Sequence, residues 1–154
     1  MTLLLSALIA AGLIVLTSLM AYSAFRYAWR FMCGAGVARS RVLFAIGATF
    51  LVHIVAIGLY SLVYYFAASA IGLGSLRDAT PGEEIEPITF VVAFYFSAAT
   101  YSSLGFGDIV PVGDLRLISV FEGLNGLLLI GWSVAYSFVA MDEFWEKPTR
   151  VDRP

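Results

Sequence analysis

From Thr100 to Pro111 the chain runs Thr-Tyr-Ser-Ser-Leu-Gly-Phe-Gly-Asp-Ile-Val-Pro. Two glycines flank one aromatic residue, an acid follows directly, and a proline stands three residues beyond the acid. The chain offers no nucleophile paired with a base and no phosphate-cradling loop, and one His53 with one Cys33 leaves too few ligands for a structural zinc site. What this stretch does offer is backbone oxygen. A cation that sheds its water needs oxygen ligands in replacement, and stacked main-chain carbonyls contributed by several subunits supply them. Aiming successive carbonyls at one axis takes unusual dihedrals, which Gly105 and Gly107 can reach at positive φ without steric cost. The Ser103 hydroxyl adds an oxygen at the inner end, and Leu104 and Phe106 are expected to point away from the axis and wedge against the short helix before them.

Such irregular backbone is tolerated at membrane depth only where it is buried in protein or lines water, and the composition is that of a membrane chain. Hydrophobic residues make up 60% and charged residues 13%, with a mean hydropathy of +0.89, whereas a soluble domain carries about a quarter charged residues. Three apolar runs meet the roughly 20 residues needed to span a bilayer: about Leu3 to Phe25, Val42 to Phe66 and Leu117 to Ala140. A fourth, Ile88 to Tyr101, reaches only ~20 Å as a helix and is expected to be re-entrant. The expected division is an N-terminal helix (1–25), a basic link (26–41), a pore domain (42–140) and a short tail (141–154). Within the pore domain it places an outer helix (42–66), a loop (67–87), a short helix (88–102), a filter (103–107) and an inner helix (117–140). The Ala-Tyr-Ser-Ala at 21–24 resembles a cleavage site, but no Lys or Arg precedes the long apolar run, so a retained helix is expected. Arg26, Arg30, Arg39 and Arg41 lie in the first link with no acid among them, while residues 67–116 hold Arg77 and Arg116 against six acids. By the positive-inside rule the N-terminus is outside, the C-terminus cytoplasmic, and the short helix enters from outside. Glu83, Glu84 and Glu86 stand before Pro87, which suits the first turn of that helix. They are either a cation-concentrating rim or a solvated loop. The net charge of -2 says little about partners, and there is no basic patch to suit nucleic acid, so none is expected.

The segment Ser103-Leu104-Gly105-Phe106-Gly107-Asp108 resembles the filter signature of potassium channels, usually Thr-Val-Gly-Tyr-Gly-Asp, with the Phe variant familiar among two-pore-domain members. The order span, loop, short helix, filter, span is similar to the family's two-span pore module, with an additional N-terminal transmembrane helix. The resemblance implies an all-α membrane protein with the tetrameric potassium-channel pore fold. It also implies a homotetramer in the plasma (cell inner) membrane among membrane lipids, with no cofactor and with potassium ions as permeant ligands at Ser103, Leu104, Gly105, Phe106 and Gly107. It further implies a hinge at Gly126, and the candidate filter supports are Tyr95, Thr100, Asp108 and Glu122. Packing of small residues is the other reading of Gly123, Gly126 and Gly131. Ser103 stands where Thr is usual, Phe106 lacks the phenolic hydroxyl, and Ala99 stands where some members carry Glu. Fewer struts imply a filter that deforms more easily, with weaker selectivity or more filter gating, and Tyr95 is the donor available to Asp108.

Glu122 and Asn125 interrupt the last span, and polar groups at that depth are costly and commonly functional. Three places are open to Glu122: behind the filter against the short helix, in the cavity as a cation attractor, or near the interface reaching water. Asn125 is expected to bond between helices, and His53 to pack between helices, with a pH-sensing role as its alternative. Leu127, Ile130, Val134 and Phe138 recur at helical spacing. They either line an apolar cavity, with Phe138 as a dewetting gate, or pack between inner helices. Trp132 and Tyr136 are expected to face lipid or neighbouring helices, and the first helix to lie outside the second. Three functions follow: a passive potassium-selective channel, a weakly selective monovalent cation channel of the same fold, or a non-conducting assembly or regulatory subunit. None is an enzyme.

Overall fold

The computed structural model describes residues 2–34, 38–67, 72–79 and 88–144. Glu83, Glu84, Glu86, Pro87, Trp145 and most of the tail lie outside the described residues. The elements in order are α1 (Thr2–Gly34), α2 (Ala38–Phe66), β1 (Gly74–Asp78), α3 (Phe90–Tyr101), β2 (Ile109–Gly113) and α4 (Leu115–Phe144). Of the chain's five prolines, none falls inside a long helix, so α1, α2 and α4 keep their main-chain ladders unbroken. All three are long and apolar enough to cross a membrane, which makes this a mostly helical, multi-pass membrane protein. The 12 residues of α3 span about 18 Å, short of the ~30 Å hydrocarbon core.

Helix α3 begins later than Pro87 suggested. Thr89 is its N-cap, with extended backbone and a side-chain oxygen that accepts the Val92 N–H at 3.3 Å, so the first turn starts at Phe90. The sequence also gave no warning of the outer ribbon. β1, inside the region expected to be loop, pairs antiparallel with β2, from Gly74 opposite Gly113 to Asp78 opposite Ile109. Pro111 fits because neither strand of a two-stranded ribbon has a second neighbour to supply with an N–H. The ribbon is fastened at both ends. Ala79 N–H donates to the Asp108 carbonyl at 2.8 Å, and Asp114 N–H to the Leu73 carbonyl at 2.8 Å. Arg116 Nε also donates to the Pro111 carbonyl at 3.1 Å, tying β2 to the start of α4.

The core is stacked in three levels. Ala10, Leu13, Tyr60, Tyr64, Phe96, Leu115 and Ile118 pack under the ribbon residues Leu73 and Leu76. Ala21, Phe25, Val52, Ala56, Ile57, Tyr101 and Leu129 form the middle level. Met32, Val42, Ala45, Ala140 and Phe144 close the far end. Every level includes α1, so this helix is not a lipid-side companion of α2 alone. It lies against both α2 and α4. Phe25 stacks on Tyr136 (centroids 4.6 Å, 11°) and meets Trp132 edge-on (5.6 Å, 87°), so these two α4 aromatics face α1.

Candidate functional site

The Ser103–Gly107 segment hangs from the C-terminal end of α3, and its dihedrals alternate. Ser103 (φ 58), Gly105 (φ 52) and Gly107 (φ 79) have positive φ, while Leu104 and Phe106 do not. Glycine holds such a conformation freely, but for Ser103 it costs on the order of 1–3 kcal/mol, a strain that clusters at functional sites. The first amides of the segment turn back into α3. Ser103 N–H donates to the Thr100 carbonyl (3.0 Å), and the Ala99 carbonyl accepts from both Leu104 (3.0 Å) and Gly105 (3.2 Å). These three N–H groups satisfy the orphan carbonyls of the helix end. No carbonyl of residues 103–107 accepts a hydrogen bond among the described residues, so the segment's oxygens stay available. The Ser102 hydroxyl adds a cap, donating to the Ala98 carbonyl at 2.6 Å.

Tyr95 braces the outer half of the segment through two contacts. Its ring stacks on Phe106 (centroids 6.1 Å, 9°), and its hydroxyl donates to Asp108 Oδ2 at 2.8 Å. Asp108 Oδ1 in turn accepts the Ile109 N–H at 3.0 Å, at the start of β2. Leu104 does not wedge against α3 within one chain. It is 65% exposed. Thr100 enters the site through its carbonyl rather than its hydroxyl.

Helix α4 fastens the short helix from behind with one polar face. Glu122 is fully buried. Its Oε1 accepts from Ser97 Oγ and its Oε2 from Tyr64 OH, both at 2.5 Å, and Ser97 Oγ also lies 3.0 Å from the Ile57 carbonyl. Of the three places open to Glu122, it occupies the one against α3, away from both the exposed face of α4 and water. One turn on, Asn125 Nδ2 donates to Thr17 Oγ1 (2.8 Å) and approaches Tyr60 OH (3.2 Å), joining α4 to α1 and α2. Gly126 packs directly on the end of α3, where an added Cβ would overlap the Tyr101 carbonyl oxygen. α4 runs unbroken through Gly126, and close packing on α3 gives this glycine a structural role. His53 bonds Tyr101 OH through Nδ1 (2.9 Å) and Ser133 Oγ through Nε2 (2.9 Å), so it is a packing residue with two polar partners. Tyr64, Ser97, Tyr101 and Ser133 were not singled out from the sequence, because hydroxyl residues in apolar helices give no sign of where their partners lie.

The opposite face of α4 is apolar and open. Leu127, Val134 and Phe138 are exposed in the single chain. Ile130, the fourth residue at this spacing, is half-buried. It sits about 60° around the helix from Leu127, one turn below Gly126, and packs with Tyr101 and Leu129 in the middle core level. The exposed part of the stripe comprises Leu127, Val134 and Phe138, with Leu124 and Leu128 exposed beside it.

A short helix with a carbonyl-bearing segment at its end, held between two long helices, is the arrangement of an ion-conducting pore module. A family model described as an ion channel matches residues 52–143, more than half of the 154-residue chain. The chain belongs to this ion channel family, which is a channel family and not an enzyme family. The match takes in α2 from Val52, then α3, the glycine segment and nearly all of α4, and leaves α1 outside. No curated protein and no solved structure matches the chain.

Proposed function

We propose that this chain is one subunit of a homotetrameric, potassium-selective channel that passes dehydrated ions through the backbone carbonyls of Ser103–Gly107. One observation carries the reading: the alternation of positive φ at Ser103, Gly105 and Gly107, with the amides of 103–105 spent on α3. A segment built this way presents oxygens and turns the N–H donors of its first three residues away, which suits a cation better than an anion. One chain supplies one wall of such a filter, so closure about an axis requires copies, and cyclic symmetry provides them. The exposed Leu104 is the side chain a neighbouring copy would cover.

The rest of the chain supports conduction in this scheme. The C-terminal end of α3 directs its partial negative charge toward the inner entrance, where a waiting cation is stabilised. Leu127, Val134 and Phe138 line the cavity below, with Phe138 as the apolar constriction. The Tyr95 hydroxyl on Asp108 replaces one of the struts that Ala99 and Phe106 remove, which favours potassium selectivity over a poorly selective pore. Arginine asymmetry sets the proposed orientation, with the N-terminus outside, the C-terminus cytoplasmic and the filter near the outer face of the plasma membrane. The test is flux from proteoliposomes of the purified protein, after its assembled mass is measured. A mass of four chains, potassium efflux well above sodium and block by barium are expected. Equal potassium and sodium flux would leave a weakly selective channel, and no flux under any condition would leave a non-conducting membrane subunit.

A further inference from the structure

Tyr101, the last residue of α3, is buried and is held by α4 at two separate points. Its carbonyl rests against Gly126. Its phenol is held through a line of side chains that runs Tyr101–His53–Ser133, with oxygen–nitrogen separations of 2.9 Å at each step. The direction of each bond follows from proton counting. Ser133 Oγ has one proton and donates it to the Leu129 carbonyl at 2.8 Å, so toward His53 it can only accept. His53 Nε2 therefore carries the imidazole proton, and Nδ1 is left to accept from Tyr101 OH. This one neutral tautomer satisfies every donor and acceptor along the line, inside a low-dielectric region where an unmet one is costly. The Gly126 and Ser133 attachments are seven residues apart, about 10 Å along α4. Two residues beyond Tyr101 the chain enters the strained Ser103 conformation (φ 58).

We propose that His53 is a positioning residue for ion selection. Through Tyr101 and Ser133 it locks the inner end of α3 to the lower half of α4, and so fixes where Ser103 and the first carbonyls of the filter stand. The inference rests on the channel reading and assigns to that site a control point lying outside it. A tilt of α4 below Gly126 separates Ser133 from His53 and frees the Tyr101 phenol, so the filter entrance senses the position of the inner helix. His53 itself touches no ion.

The test uses the full-length assembly in proteoliposomes and reads the potassium-to-sodium flux ratio per assembled channel, with thermal unfolding of the same samples as the structural control. Tyr101→Phe keeps the ring and removes only the donor. It is expected to lower the ratio about fivefold, the worth of one hydrogen bond, while the assembly is recovered. His53→Leu is expected to do the same, and combining it with Tyr101→Phe should add nothing. His53→Gln presents an amide oxygen to Tyr101 and an amide N–H to Ser133, and should restore the ratio to within about twofold of wild type. A wild-type ratio in Tyr101→Phe, multiplying losses in the double variant, or no recovery in His53→Gln would overturn the proposal. If His53→Leu fails to assemble, Tyr101→Phe and His53→Gln still decide it. A wild-type protein without potassium flux would instead sink the channel reading, and the inference with it.

Discussion

Gly126 and Gly131 occupy the same helix but meet different surroundings. A Cβ at Gly126 would overlap the Tyr101 carbonyl, whereas one at Gly131 would meet nothing within 4 Å. Gly126→Ala is therefore expected to cost about 1–3 kcal/mol, as overpacking does, and Gly131→Ala less than about 0.5 kcal/mol, as open-surface changes do. Unfolding midpoints in detergent measure both, and equal effects would contradict the contact. Among the described residues Glu122 is the one acceptor of the Tyr64 hydroxyl and one of two for Ser97. Glu122→Ala would strand a buried donor and open a gap, at a cost on the order of 2 kcal/mol, seen as a lower unfolding midpoint of the assembly. Tyr95→Phe keeps the stack on Phe106 but releases Asp108. It should leave folding within about 1 kcal/mol of wild type while lowering potassium-over-sodium flux. Unchanged flux would show that the Asp108 tie is dispensable.

At the scale of elements, α1 is the part the sequence described least well. An all-round apolar helix shows no side that must be buried, so nothing in Leu3 to Phe25 announced a place against α4. The decisive residue, Thr17, is a single hydroxyl whose partner Asn125 lies more than a hundred residues on. Thr17→Val is expected to destabilise the subunit by about 0.6–1.7 kcal/mol, the range for hydrogen bonds between membrane helices. A matched Asn125→Leu background should erase that effect, and a double-mutant cycle measures it. The ribbon was hidden for another reason. Gly74–Asp78 has no apolar alternation, and its pairing partner follows the filter rather than a hairpin turn. The three spans, the shortness of α3 and the Gly105–Gly107 pair were legible because each rests on length or on backbone freedom, which the sequence states locally. The His53, Glu122 and Asn125 partners were not, because they depend on how three nearly uniform apolar helices rotate against one another. The same ambiguity hid the packing of Ile130 against the middle core level.

At the scale of the whole molecule, one chain is an incomplete object. Its inward side is a dense polar and aromatic seam joining α4 to α1, α2 and α3, and its outward side leaves Leu104, Leu127, Val134 and Phe138 uncovered. The proposed fourfold assembly around Ser103–Gly107 would give those side chains neighbours and the carbonyls an axis. In the proposed orientation Arg26, Arg30, Arg39 and Arg41 lie on the cytoplasmic side. The most direct measurement is the reversal potential of the purified protein in a planar bilayer, with potassium on one side and sodium on the other. A filter of ordered backbone carbonyls predicts a large displacement toward the potassium equilibrium potential, abolished when Gly105→Ala denies that position its positive φ. A reversal potential near zero in the wild-type protein would contradict the potassium filter.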